Sequence, residues 1–590
     1  MCGIFCLVSF KGPIDIQAAL RCMGYLNFRG PDKSNYKLYK LKDCEIFLGF
    51  TRLAIMDTTD KGLQPFETRI ETGDATSAVV CNGEIYNFHQ LIQTLQLKTQ
   101  SQCDCEVILP IYKKCGFETM IHTHLDAEFA MVLIDLVNHK LYAARDKYGV
   151  RPLFLGQSAD GQMYGFASEM KALHPIMFQI EPVKPTQTIE LNLKMDPVMQ
   201  FASCLVSSIN TTEYPFKFAN YNYKSTIPQL SIESILYKCI MDIDTIKYNI
   251  RCLFTQAVSK RLEADRPAVE LVAPSGGSRD PFRPEVGRNR GPIGFLLSGG
   301  LDSSLVVAIA TGILGPDKIV TFSIGLENSP DVIAAKKVVK FLGIEHNHHV
   351  VPFSIQAGIE NIPNVIRATE TYDITTIRAS TPQYLMAKYI SEKTDIKVIL
   401  SGEGSDEIHG SYRYFRNAPS EEAFHQETIR LLSELYLFDN LRTDRTMAAH
   451  GLEVRVPFLD HAYVLYIMRI KPSHLMYNSN QMEKQIIRDA FKGYLPDEIL
   501  YRSKEAFSDA VSSPEENWYK SIQLEAKKFE TELNLATYEH NPPQTLDAKY
   551  FRKIFEEIYP GRSRVIPHYW LPKFQNVQVL DPSATVLGCY

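Results

Sequence analysis

Short runs in which apolar residues dominate, broken by turn residues, fill the first third of the chain. Ala78-Val79-Val80-Cys81-Asn82-Gly83-Glu84-Ile85-Tyr86-Asn87 predicts a buried strand that ends in a turn. Glu128 to Leu141 carries the pattern of a hairpin around Val137-Asn138-His139. Between them, Phe88–Leu97 and Glu106–Cys115 repeat apolar positions at helical spacing. After about Pro292 the period changes. Apolar runs such as Gly294–Leu297 and Val398–Leu400 end in small-residue loops and lead into helical segments, which predicts a parallel α/β sheet with ligands at the strands' C-terminal ends. The last third reads as mainly helical, and no internal repeat is present.

These changes divide the chain into a first domain over 1–205, a linker over 206–235, a second domain over 236–575 and a tail over 576–590. Within the second, Arg266–Gly291 is rich in Pro, Gly and Arg and reads as a flexible surface insertion. A chain of 590 residues has ample length for two cores. Lys plus Arg number 63 against 68 Asp plus Glu, a near balance that gives no electrostatic reason to expect nucleic acid or a membrane surface. Twelve cysteines without a Cys-x-x-Cys pair, and no secretory or long apolar segment, fit reduced thiols in the cytoplasm. Tyr214–Lys224 interleaves aromatics with lysines, as single-strand nucleic-acid platforms do, but a linker packing between domains fits the overall charge better. His346-Asn347-His348-His349 lacks further ligands at metal spacing and reads as a strand edge.

Candidate chemistry starts at Cys2. Once Met1 is removed, one residue carries a thiol and a free α-amine whose ordinary pKa is near 8, so nucleophile and base coincide. Asn82 with the Gly83 backbone N–H suits an oxyanion, Arg52 a substrate carboxylate, and Glu84 with Asp104 a substrate ammonium. In the second half, Ser298-Gly299-Gly300-Leu301-Asp302-Ser303 supplies a phosphate-cradling turn at a helix start, without the Gly-Lys-Ser/Thr of a Walker A loop. Asp302 and Asp406, from two such loops, have the hard oxygens that Mg²⁺ prefers.

Cys2-Gly3-Ile4-Phe5, Phe28-Arg29-Gly30-Pro31-Asp32, Arg52–Met56, Asn82–Asn87 and Arg145–Leu153 together resemble the glutaminase domain of class II, N-terminal-nucleophile (Ntn) amidotransferases. The Ser298 loop is similar to that of the PP-loop ATP pyrophosphatases. Joined over nearly the whole chain, through Glu370–Pro382, Gly451–Asp460 and Met482-Glu483-Lys484, the pattern resembles the glutamine-hydrolysing asparagine synthetase family. The resemblance implies an αββα Ntn-hydrolase-like domain followed by an α/β ATP pyrophosphatase domain. It implies Cys2 as nucleophile, an oxyanion hole at Asn82 and Gly83, and glutamine bound by Arg52, Leu53, Ala54, Ile55, Met56, Glu84 and Asp104. Leu297, Ile324, Ser401 and Gly402 would line the ATP site beside Ser298, Gly299, Gly300, Asp302 and Ser303. Glu403 would serve formation and use of β-aspartyl-AMP, and Lys484 would offset charge at the α-phosphate. Thr375, Thr376 and Arg378 would lie on the aspartate and pyrophosphate side.

The expected reaction is ATP-dependent conversion of aspartate to asparagine with glutamine-derived ammonia, releasing AMP, diphosphate and glutamate. ATP and Mg²⁺ are the expected cofactors, no nucleic-acid or membrane partner is expected, and a homodimer is allowed. A relative that amidates another carboxylate and a catalytically silent regulatory paralogue are the alternatives. The chain departs from the family pattern at Gln102-Cys103, where Gly-Ser is usual, and at His409 and Ser411, in a segment that usually reads Phe-Gly-Gly-Tyr.

Overall fold

The computed structural model describes residues 1–185, 187–194, 209–213, 242–263, 293–326, 329–478, 481–503 and 517–575. The Arg266–Gly291 insertion, the Tyr214–Lys224 aromatics, the tail over 576–590 and most of the 206–235 linker lie outside these residues.

Twelve strands build two antiparallel sheets in the first half. The first has the order β10-β8-β9-β1-β3-β2. It is built from β1 (Gly3–Ser9), β2 (Lys33–Lys40), β3 (Glu45–Arg52), β8 (Phe154–Gln157), β9 (Met163–Ala167) and β10 (Gln179–Pro182). The second, β12-β11-β7-β6-β5-β4, comprises β4 (Phe66–Arg69), β5 (Ala75–Ile85), β6 (Ala127–Asp135), β7 (Lys140–Arg145), β11 (Gln187–Asn192) and β12 (Ile209–Glu213).

Side-chain alternation along a strand explains the layering. Ile4, Cys6 and Val8 of β1 pack with Ala78 and Val80 of β5 and with Ala130, Val132 and Ile134 of β6, between the sheets. Their neighbours Phe5 and Leu7 point the other way, onto Ala19, Cys22 and Met23 of the helix Ile16–Gly24. On the far side, Val79 and Cys81 meet Leu91 of the helix Phe88–Thr94 and Ile108 and Ile111 of the helix Ile108–Cys115. The result is four layers, αββα.

The strand-then-turn reading of Ala78–Asn87 holds: β5 runs through Asn82 and Gly83, paired in register with Ala130 and Phe129 of β6, to Ile85, and the turn follows at Tyr86-Asn87. One boundary differs from the sequence expectation. The first domain's sheet runs past residue 205, since β12 pairs antiparallel with β11.

The second half holds a five-stranded sheet, every pair parallel, in the order β15-β14-β13-β16-β17. Its strands are β13 (Ile293–Leu296), β14 (Ile319–Gly325), β15 (His348–Pro352), β16 (Val398–Leu400) and β17 (Glu453–Arg455). His348 and His349 sit on edge strand β15, and His348 Nδ1 is 2.8 Å from Thr321 Oγ1. Crossover connections leave helices against the sheet, such as Leu301–Leu314 after β13 and Pro330–Leu342 after β14. The C-terminal ends of β13, β14 and β16 thus open side by side.

Candidate functional site

Two centres emerge, one in each half. In the first, pairing of β1 with β3 sets Gly3 opposite Thr51, which brings Cys2 beside the loop that follows β3. The Leu53 N–H points at Cys2 Sγ at 3.4 Å, and Arg29 Nε donates to the Cys2 carbonyl at 2.9 Å. Burial pushes the Cys2 thiol up to about 11. The terminal amine, carried here by Met1, is pushed down to about 5 by the same burial and donates to the Leu452 carbonyl of the second half at 3.1 Å. An amine in that setting is uncharged at neutral pH.

Asn82 is 1% exposed, and neither side-chain polar atom has a hydrogen-bond partner among the described residues. A buried amide left unpaired is costly and points to a ligand. Gly83 is required by close approach: a Cβ there would lie 2.1 Å from the Glu128 carbonyl oxygen.

Asp104 accepts the Ile85 N–H at 2.6 Å, and burial pushes its carboxyl up to about 6. Glu84 faces Arg455 from β17 of the second half, with an ion pair of 2.9 Å; burial nonetheless drives its carboxyl upward. Arg52 is buried, and its guanidinium is held by the carbonyls of Thr59 (2.6 Å), Met56 (3.4 Å) and Asp57. Ala54 in the same loop donates its N–H to Asp32 at 2.7 Å.

The second centre is a cavity of about 220 Å³ at the C-terminal ends of β13, β14 and β16. It gathers Leu297, Ser298, Gly300, Asp302, Ser303 and Ile324 with Thr375, Thr376, Ser401, Gly402, Glu403, Asp406 and Lys484. The two glycine loops interlock. A Cβ on Gly299, whose φ is +73°, would lie 2.4 Å from the Ala335 nitrogen, and one on Gly402 2.7 Å from the Ser303 nitrogen. Lys484 Nζ contacts both Asp302 oxygens and Asp406 Oδ1, each at 2.7 Å. The two aspartates therefore converge on one cation position. Asp373 caps the helix Ile374–Lys393 by accepting the Thr376 N–H at 2.9 Å, which fixes Thr375 and Thr376 at the cavity wall. Thr375 Oγ1 and both amide atoms of Gln383 in that wall are buried without hydrogen-bond partners among the described residues.

Gly299 and Arg378 are not among the lining residues. Gly299 is turned into the packing against Ala335, and the Arg378 guanidinium is paired with Asp547 and lies 4.3 Å from the Tyr519 ring. Sequence reasoning missed Gln383, Asp439 and Arg442, which also line the cavity. Arg442 bridges Glu403 (2.7 Å) and Asp439 (2.9 Å). The Asp439–Arg442 spacing of three was the available signal. His409 and Ser411, the two departures, back the aspartates. Ser411 Oγ donates to Asp406 at 2.5 Å, while His409 Nδ1 lies 3.2 Å from Ser405 Oγ, which donates to Asp302 at 2.7 Å.

The halves meet through buried charges. Arg29 pairs with Glu169 and Asp444, both at 2.7 Å, and Arg261 with Glu128 (2.9 Å) and Asp460 (3.1 Å). The Arg455 carbonyl accepts the Ser401 N–H at 3.0 Å, so one residue of β17 touches both Glu84 and an ATP-loop candidate.

An αββα domain with a terminal cysteine, docked on a parallel α/β sheet with a glycine-loop cavity, defines a two-domain glutamine-dependent amidotransferase. A family of glutamine amidotransferase domains matches residues 1–214, and the asparagine synthase family matches 286–424 and 416–573. The chain is 53% identical to a probable glutamine-hydrolysing asparagine synthetase of Acanthamoeba polyphaga mimivirus, covering all of both chains. It is 40% identical to the asparagine synthetase of Gallus gallus and 38% to that of Homo sapiens, covering all of this chain and 99% of each relative. The chain belongs to the glutamine-hydrolysing asparagine synthetase family.

Proposed function

We propose that the chain is an asparagine synthetase that converts aspartate to asparagine, drawing nitrogen from glutamine and energy from ATP. The observation that carries this reading is the pair of centres, a cysteine at the chain start and a carboxylate-lined nucleotide cavity, in one full-length match to the family.

At the first centre the Cys2 sulfur attacks the glutamine amide carbon after Met1 is removed, and the α-amine then carried by Cys2 itself accepts the thiol proton. Asn82 Nδ2 and the Gly83 N–H hold the oxyanion, while Glu84 and Asp104 hold the glutamine ammonium and Arg52 its carboxylate. Departure of ammonia leaves a thioester on Cys2, and water releases glutamate. At the second centre the aspartate side-chain carboxylate attacks the ATP α-phosphorus, diphosphate leaves, and ammonia then displaces AMP from β-aspartyl-AMP. Thr375, Thr376 and the unpaired Gln383 amide recognise substrate here, with Glu403 and Arg442 beside the acyl centre. Water must be kept from both the thioester and the acyl-adenylate, which favours passage of ammonia inside the protein, past Glu453–Arg455.

Mg²⁺ fits Asp302 and Asp406. Both are hard oxygen donors, and Lys484 already marks a shared cation position between them. Bound there, the ion would offset the charge of the leaving diphosphate. With ¹⁵N-amide glutamine, aspartate and Mg-ATP, label is expected in the asparagine side chain with AMP formed in equal amount. Amidation of a different carboxylate with no label in asparagine would overturn the substrate assignment.

A further inference from the structure

The glutamine-binding loop carries a thiol cluster that the reaction above does not use. Cys103 Sγ and Cys105 Sγ flank the Asp104 carboxylate, each 3.7 Å from one of its oxygens. All three donor atoms lie within 4.8 Å of one another, the single such group among the described residues. The Cys81 thiol, on strand β5, interacts with that of Cys105. The loop is held from several sides. Asp57 accepts the Gln102 N–H at 2.8 Å, Ser101 Oγ accepts the Cys103 N–H at 3.1 Å, and Glu106 accepts the Gln100 and Ser101 N–H groups at 2.7 Å.

Buried thiols often serve as small apolar packing groups. Here they surround an ionisable carboxylate instead, with a third thiol alongside. Tetrahedral Zn²⁺ with Zn–S near 2.3 Å and Zn–O near 2.0–2.2 Å requires donors separated by about 3.5–3.8 Å. Each sulfur is 3.7 Å from its carboxylate oxygen, within that range, and the whole donor set lies inside 4.8 Å, so a small closing movement completes the geometry. Cys103 is 8% exposed, which leaves an entry point at an otherwise closed cluster.

We propose that Cys103, Cys105 and Asp104 form a binding site for a thiophilic divalent cation of the Zn²⁺ or Cd²⁺ class, and that its occupation blocks glutamine use. Binding forms metal–sulfur bonds and releases the thiol protons to solvent; no electron is transferred. The block rests on the reading of Asp104 as a holder of the glutamine ammonium, because a carboxylate bound to the cation is withdrawn from that task. The second centre has a hard oxygen-donor set and is left working with free ammonia.

The test uses the full-length chain and Cd²⁺ alone as probe, followed by its ultraviolet thiolate-to-metal absorption. Glutamate release and ammonia-dependent asparagine formation are measured on the same samples. One equivalent of Cd²⁺ is expected to give the band and to lower glutamate release by about tenfold or more, with ammonia-dependent synthesis unchanged. Cys103→Ser and Cys105→Ala are each expected to weaken Cd²⁺ binding and inhibition by about 10–100-fold while the metal-free activities persist. Cys2→Ala is expected to keep the band. Loss of the band in Cys2→Ala, or its survival in both Cys103→Ser and Cys105→Ala, would put the cation elsewhere and overturn the site. A normal band without loss of glutamate release would overturn the block. Glutamate release measured before any metal is added tests the glutaminase reading separately, because the band does not depend on turnover.

Discussion

Replacing Asn82 by alanine separates a catalytic role from a structural one, because the resting protein makes so little use of this side chain. Asn82 sits in the middle of β5, 1% exposed, with neither amide atom hydrogen-bonded among the described residues. A buried polar group in that state costs on the order of 1–3 kcal/mol. Truncation removes this burden while giving up the packing of a short side chain. The two effects oppose, and the unfolding free energy is expected to stay within about 1 kcal/mol of the parent. Catalysis should respond differently. Loss of one oxyanion donor costs about 10²–10³ in kcat, or about 2.7–4 kcal/mol of transition-state stabilisation. The assays are glutamate release, asparagine formation from glutamine, asparagine formation from ammonium and the denaturant midpoint. Both glutamine-dependent rates should fall together, with the ammonium-dependent rate and the midpoint unmoved. A stability loss above about 2 kcal/mol with equal damage to both nitrogen sources would make Asn82 structural. Undiminished glutamate release would remove it from the oxyanion hole.

Lys484→Met strands Asp302 and Asp406 facing each other, and loss of one partner from such a cluster costs about 3–5 kcal/mol. Synthesis should be lost with either nitrogen source, glutamate release should remain, and added Mg²⁺ should raise the variant's melting temperature more than the parent's. Because burial pushes the Asp104 carboxyl up to about 6, protons compete with the glutamine ammonium below that pH. The KM for glutamine should therefore rise as pH falls through 6, and Asp104→Asn should raise it at all pH values and flatten the profile. Arg378→Met leaves Asp547 buried without its charge partner and should cost about 3–5 kcal/mol, read as a lower melting temperature, with Arg378→Met/Asp547→Asn recovering part of it. A normal melting temperature with lost activity would return Arg378 to the substrate side.

Much of this arrangement is legible in the sequence because it is local. Near-continuous apolar runs in β1 and β5 announce strands buried on both faces, and the run Leu297–Ser303 encodes its own strand, turn and helix start. Residues Asn82 and Gly83 look like a turn in isolation. They are held extended by pairing with β6, a contact whose partner lies more than forty residues away in the chain. Gln383 is illegible for the same reason. It is buried in mid-helix, and whether that face meets the glycine loops is decided by sheet order. Arg378 shows the reverse: a motif neighbour of Thr375 and Thr376 falls at the flank of the face they present to the cavity and turns to Asp547.

The interface explains why two chemistries occupy one rigid body. Arg29 and Arg261 each hold one carboxylate of their own half, Glu169 and Asp460, and one of the other, Asp444 and Glu128. Such pairs contribute little net stability compared with apolar packing. They are unforgiving of misalignment, because a shift between the halves leaves Asp444 and Glu128 buried with fewer partners. β17 lies in the middle of this arrangement, with the Arg455 guanidinium on Glu84 and its carbonyl on the Ser401 N–H. The relative placement of a thiol that would release ammonia and a loop that would hold an acyl-adenylate is therefore set by pairwise charge geometry.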